Sequence, residues 1–270
     1  MLQKATSYLV AGLAALGLAA GSVAAQQPLA EDQDWCRDSH SDRDYDRYCE
    51  VREFTLGVTD RLVVDAAPNG GIAVEGWDRN EIRVLARVSG QADQMDDARR
   101  LVKEVEVLTT ATITAEGPRT GRHESWSVSF RVFAPRHSDL ALETTNGGIR
   151  IEDVAGDIEF NTTNGGVRLT AVGGDVRGRT TNGGLHIELA GSEWQGAGLD
   201  VRTTNGGVRL TIPAGYNARL ETGTTNGGMR FDFPVTVQGR IDRRLSVDLG
   251  AGGTLLRAFT TNGGVTVQQG

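Results

Sequence analysis

One pentapeptide, Thr-Thr-Asn-Gly-Gly, occurs six times in the second half of this 270-residue chain, starting at Thr144, Thr162, Thr180, Thr203, Thr224 and Thr260. The first three copies are 18 residues apart, and the later gaps are 23, 21 and 36. A weaker copy, Pro68-Asn69-Gly70-Gly71, lies far upstream. Self-similarity at a period of about 20 residues is the signature of one small unit stacked on itself, because such a unit cannot bury an apolar face alone.

The residues around each copy give the unit its shape. Ile149-Arg150-Ile151-Glu152, Val167-Arg168-Leu169-Thr170 and Leu185-His186-Ile187-Glu188 alternate apolar and polar residues, as half-buried strands do. A second alternating strand precedes each copy, as in Ile158-Glu159-Phe160-Asn161-Thr162. Asn-Gly is a strong turn signal, since both residues tolerate positive φ. Ala155-Gly156-Asp157 and Gly173-Gly174-Asp175 read as the second turn. The expected fold is all-β, a β-solenoid or stacked β-roll of 18–23-residue repeats. Ile149, Ile151, Ile158, Phe160, Val167, Leu169, Leu185, Ile187, Val208, Leu210, Leu220, Phe231, Val265 and Val267 should face inward, joined by the first Thr of each pair.

The 36 glycines recur in register, so they punctuate turns rather than signal disorder. Residues 1–25 have the pattern of a secretory signal: Lys4, an apolar run from Leu9 to Ala20, then Val23-Ala24-Ala25 before a mature start at Gln26. That run is too short to span a bilayer, and no other segment could, so the mature chain is expected to lack a transmembrane segment and to be periplasmic, at the outer surface or secreted. Residues 26–50 form a polar leader holding the two cysteines, Cys36 and Cys49, which are expected to form a disulfide in an exported chain. Residues 51–270 form the repeat domain. Ala92, Met95, Ala98, Leu101, Val102 and Val105 recur at helical spacing, predicting one amphipathic helix within Gln91–Val105, placed to cap the stack. The net charge of −7 disfavours nucleic acid as a partner.

Alternating strands with Thr-Thr-Asn-Gly-Gly and Gly-Asp turns behind a signal peptide, with the Cys36…Cys49-Glu50-Val51-Arg52-Glu53 leader, resemble the bacterial putative-adhesin family of exported β-solenoid domains. The resemblance spans about Val51 to Gly270 and implies fold and export; the family offers no catalytic residues to carry over.

The sharpest site candidate is the outward position four residues after the repeat Asn: Arg150, Arg168, His186, Arg209 and Arg230. In register they would form a basic stripe. Like charges at strand spacing repel, so either neighbouring carboxylates (Glu152, Glu188, Asp232) make this a solvated mixed-charge face, or an acidic glycan or envelope polymer lies along it. The repeat asparagines, Asn146, Asn164, Asn182, Asn205, Asn226 and Asn262, are expected to be structural turn residues. The acidic residues around Asp42-Arg43-Asp44-Tyr45-Asp46, with Glu53 twelfth, suggest a calcium loop, but Arg47 stands where that loop needs Gly, so a solvated loop is the expectation. No nucleophile, zinc or phosphate-loop motif occurs, so neither a cofactor nor a catalytic residue is assigned. The expected function is a non-enzymatic, adhesin-like binding or structural module. The alternative is a polysaccharide lyase or hydrolase, with Asp200 and Arg202 the place to look. A third expectation is self-association through an open last strand, Val265–Gln269.

Overall fold

A computed structural model describes residues 34–36, 45–232 and 243–270. The signal segment, residues 26–33 and 37–44 of the leader, and residues 233–242 fall outside the described residues. The chain builds two 10-stranded sheets. In spatial order, the first contains β1 (Asp46–Leu56), β4 (Ile82–Ala92), β7 (Ser125–Pro135), β3 (Ile72–Trp77), β9 (Ile149–Glu152), β11 (Val167–Thr170), β13 (Leu185–Glu188), β15 (Val208–Ile212), β20 (Val265–Gln269) and β17 (Met229–Phe231). The second contains β18 (Arg244–Leu249), β16 (Ala218–Asn226), β19 (Leu255–Asn262), β14 (Gly198–Asn205), β12 (Gly173–Asn182), β10 (Ala155–Asn164), β8 (Asp139–Asn146), β2 (Arg61–Asp65), β6 (Ile113–Glu116) and β5 (Glu106–Thr109). Each repeat contributes one strand to each sheet, and equivalent residues pair in parallel one unit on, Thr162 with Thr180 and Ile149 with Val167. The fold is thus a β-solenoid-like stack.

The core lies between the sheets. Ile149, Ile151, Ile158, Phe160, Val167, Leu169, Leu185 and Ile187 are buried as the alternation predicts, while Phe231, on the outermost strand of its sheet, is half-buried. The helix, α1 (Met95–Glu104), starts later than the pattern suggested because Gln91 and Ala92 complete β4. Ala98, Leu101 and Val102 are buried, and α1 packs on β1 and β4 at the N-terminal end of the stack. Its C-terminal carbonyls are capped by the Arg52 guanidinium, which donates to Val105 O at 2.5 Å and Val102 O at 2.7 Å.

The pentapeptide works as a joint, and each position has a distinct job. The first Thr points inward, buried, and its Oγ1 donates to a glycine carbonyl of the adjacent unit: Thr144 to Gly70 at 2.7 Å, Thr162 to Gly147 at 2.9 Å, Thr180 to Gly165 at 2.8 Å. The Asn side chains form a ladder, each Nδ2 donating to the next Oδ1: Asn146 to Asn69 (2.9 Å), Asn164 to Asn146 (2.7 Å), Asn182 to Asn164 (2.8 Å), Asn205 to Asn182 (2.9 Å). The first Gly is required by proximity, not by conformation. A Cβ on Gly165 would sit 1.9 Å from Gly147 O, and one on Gly183 2.0 Å from Gly165 O.

Two expectations about turns are corrected. The repeat asparagines do not adopt positive φ; among the described non-glycine residues only His123, Asp153 and Ala171 do. The ladder, not left-handed backbone, selects Asn. The second turn falls at Asp153 (φ 57°) and Ala171 (φ 51°), so Gly156 and Gly174 lie inside strands, where a Cβ on Gly174 would meet Gly156 O at 2.1 Å.

The order of the units is not the order of the sequence. The sixth copy is inserted between the fourth and the fifth: β19 pairs with β14 on one side and β16 on the other, and β20 lies between β15 and β17. The joints agree, since Thr260 Oγ1 donates to Gly206 O at 2.7 Å and Thr224 Oγ1 to Gly263 O at 2.8 Å. The chain runs out to β18, which pairs antiparallel with β16, then returns to fill the slot. The last strand is therefore interior rather than an open edge, which removes the basis for self-association through Val265–Gln269; β17 and β18 are the outermost described strands at that end.

Candidate functional site

The outer face of the first sheet carries the basic row. Arg150 pairs in register with Arg168, Arg168 with His186, and His186 with Arg209. The next position belongs to the intercalated sixth unit and holds Thr266, which separates Arg230 from the row. Four contiguous basic positions thus span about 14 Å at ~4.8 Å per strand.

Compensation is uneven. Arg150 is paired with Glu152 at 3.1 Å and Arg230 with Asp232 at 2.8 Å, each two residues on along one strand. The equivalent positions beside Arg168 and Arg209 are Thr170 and Thr211, and neither arginine has a carboxylate within ion-pair distance among the described residues. Arg168 instead lies 3.4 Å from His186 Nδ1. The His186 imidazole is held below its ordinary pKa by partial burial and by the charges of Arg168 and Arg209. It is therefore neutral at pH 7, interrupting a line of cations that would otherwise be continuous.

Beside this row runs a groove of about 530 Å³. Its lining includes the second glycines of the joints, Gly71, Gly148, Gly166 and Gly184, one per unit, with Ala73, Ser129, Arg150, Arg168 and His186 beside them. Over the glycines a bound molecule can approach the backbone closely. The end wall is Trp35, which rests with its ring 4.7 Å from the Arg131 guanidinium and 5.2 Å from that of Arg87. Trp35 is fixed by its neighbour Cys36, bonded to Cys49 in β1 with a Cα–Cα distance of 5.7 Å. Sequence reasoning found the row and the disulfide but not Trp35 or the glycine lining. The signal for Trp35 was an aromatic beside a cysteine, and nothing local said where the staple would place it.

The second sheet's outer face differs. Glu159, Arg177, Asp200, Arg257 and Glu221 stand in register, alternating in sign. Arg257 pairs with Glu221 at 3.0 Å and with Asp200 at 3.9 Å, and Arg202 reaches Asp200 at 3.2 Å. That face neutralises itself.

The extra residues that lengthen the third gap, Ser192–Gly198, are packed into the stack: Trp194 is buried and its Nε1 donates to Gly174 O at 3.0 Å. Glu53, the suggested twelfth calcium ligand, lies in β1 and is paired with Arg83 at 2.6 Å. Among the described residues no group of three or more His, Cys, Asp or Glu is placed to hold a metal, and no helix is long and apolar enough to cross a membrane.

A stacked pair of parallel-rich sheets with this jointed repeat defines a β-solenoid-like repeat protein. The chain belongs to the Toastrack DUF4097 family, whose pattern matches residues 102–268. No curated protein matches it. Among solved structures it is similar to a putative cell adhesion protein from Clostridium sporogenes (10% identity, TM-score 0.45, 82% of this chain and 100% of that one). Others are a putative adhesin from Bacteroides fragilis (10%, 0.32, 82% and 97%) and a putative lipid binding protein from Parabacteroides distasonis (10%, 0.36, 81% and 96%).

Proposed function

We propose that this protein is an exported, non-enzymatic, adhesin-like module whose first sheet binds an acidic polysaccharide of the cell envelope or its surroundings. The observation that carries the reading is the unbalanced charge at Arg168 and Arg209 on a protein of net charge −7. A net acidic protein gains nothing in folding from two guanidiniums without carboxylate partners, one on either side of His186, whereas an anionic polymer laid across the strands would neutralise them. The strand spacing of about 4.8 Å is close to the length of one sugar residue, so carboxylates two residues apart along a polymer can meet Arg168 and Arg209 across neutral His186. The glycine lining admits the flat face of the chain, and guanidinium forks suit carboxylates.

Cleavage by a carboxylate pair would need free Asp or Glu side chains beside the polymer. The described lining of the groove contains no Asp or Glu, and Asp200, on the opposite sheet, is held by Arg202 and Arg257. The disulfide supports a location outside the reducing cytoplasm.

The test is binding of the purified protein to a linear polyuronate and to a neutral glucan, with an Arg150→Glu/Arg168→Glu/Arg209→Glu variant alongside. Salt-sensitive binding to the polyuronate, weakened at least about tenfold in the variant, is expected. Equal binding to the neutral glucan, or full binding by the variant, would overturn the reading.

A further inference from the structure

Asn-Gly is the dipeptide most prone to spontaneous deamidation, and this chain contains seven, six of them in one identical context, Thr-Thr-Asn-Gly-Gly. The seventh, Asn69-Gly70, has its glycine N engaged with Asn146 O at 3.2 Å. The intrinsic reactivity of the six is the same, and any difference between them in the folded protein comes from structure. In the reaction the glycine N, losing its proton, attacks the asparagine Cγ. The N–Cγ bond forms, the Cγ–Nδ2 bond breaks and ammonia leaves with the proton, closing a five-membered imide. Water then opens the imide at either carbonyl, giving aspartate or isoaspartate. The reaction needs a glycine N that is not engaged elsewhere and a side-chain amide free to turn towards it.

The stack denies at least one of these to each interior copy. Gly165 N donates to Asn182 O, Gly183 N to Asn205 O and Gly206 N to Asn262 O, each at 3.0 Å, and Gly263 N donates to Asn226 O at 3.1 Å. Their side-chain amides are gripped from both sides, Asn262 donating to Asn205 Oδ1 at 2.8 Å while its own Oδ1 receives Asn226 Nδ2 at 2.8 Å. The Gly147 N–H makes no such bond among the described residues. Asn146, however, is held by Asn69, Pro68 and Asn164 at 2.9, 3.1 and 2.7 Å.

The fifth copy is different. Because the sixth unit is intercalated, the ladder ends at Asn226, not at the last copy in the sequence. Asn226 donates one hydrogen bond, to Asn262, and its Oδ1 receives none from the described residues. Gly227 N donates to no described acceptor, and both residues are exposed on the outermost unit. We infer that Asn226 is the protein's site of spontaneous conversion to aspartate and isoaspartate, a covalent modification site selected by the order of the units.

The experiment ages the folded protein at mildly alkaline pH and quantifies aspartate and isoaspartate at the six asparagines by peptide mass spectrometry. A sample kept in denaturant is carried in parallel. In denaturant the six should convert at like rates. In the folded protein Asn226 should convert at least about tenfold faster than Asn262, because its side-chain amide is held from one side only, it lies beyond the part of β16 that β18 covers, and weakly held segments open at lower free energy. An Asn226→Gln variant should remove the dominant conversion and leave the other five unchanged. Equal rates at all six positions in the folded protein, or fastest conversion at Asn262, would overturn the inference.

Discussion

The ring of Phe160 occupies the space that Gly178 leaves by having no side chain. The two residues are register partners in adjacent parallel strands, and a Cβ on Gly178 would lie 2.4 Å from the ring, which is buried. The largest side chain of this core row thus sits beside its one glycine. Gly178→Val should cost about 1–3 kcal/mol by overpacking, and Phe160→Val should cost a comparable amount by leaving a cavity. The double variant should lose less than the sum of the two, a coupling that denaturant unfolding of the four proteins would measure.

The threonine joints make a second prediction. Thr162→Val keeps the shape of the side chain but leaves the Gly147 carbonyl without its 2.9 Å donor. The expected loss is about 1–2 kcal/mol, the cost of an unsatisfied buried acceptor. Thr162→Ser, which keeps the hydroxyl, should lose less. A loss larger in Thr162→Ser than in Thr162→Val would show that the methyl group, not the hydrogen bond, matters.

His186 makes the site sensitive to pH. Its pKa lies below the ordinary histidine value when folded, so the unfolded chain binds the proton more readily. Its contribution to stability is therefore present above the ordinary histidine value and declines as the pH falls from there through the lowered folded value. Binding of a polyanion should run the other way, strengthening as His186 becomes charged over about pH 7 to 5. A polyuronate should raise the His186 pKa in an NMR titration. His186→Asn should flatten the affinity profile over that range.

Replacing both Cys36 and Cys49 by Ser removes a staple that closes a short loop. The expected loss is about 3 kcal/mol by the loop-entropy model, read as a lower denaturation midpoint. Because the same staple places Trp35 over Arg87 and Arg131, the variant's Trp35 fluorescence should become more accessible to a soluble quencher at temperatures where the stack is still folded.

Much of the stack was legible in the chain because its two periods are local. Alternation told which of Ile149 and Arg150 faces inward, and the pentapeptide told where units join. The order of the units was not legible, because each joint offers the same Thr, Asn and Gly to any neighbour; Thr260 fits against Gly206 as well as Thr224 would. That hidden order removed Arg230 from the basic row and turned the last strand from an edge into an interior strand. The site was half legible for the same reason. Arg168 and Arg209 share a face by repeat arithmetic, but Trp35 reaches the groove through a disulfide and an antiparallel strand, which carry no repeat.

In most stacks the final unit is an end, and removing it shortens the pile. Here residues from Leu255 onward form a keystone. Without them β14 and β16 would face each other across a vacancy one strand wide, about 4.8 Å on either side of its centre line, and the same vacancy would open between β15 and β17 in the other sheet. In both sheets the strands of the fifth unit therefore meet those of the sixth and not those of the fourth, with a direct tie at one end from Asn217 N to Ser192 O at 2.8 Å, and the stack closes by having its last piece driven in from the side.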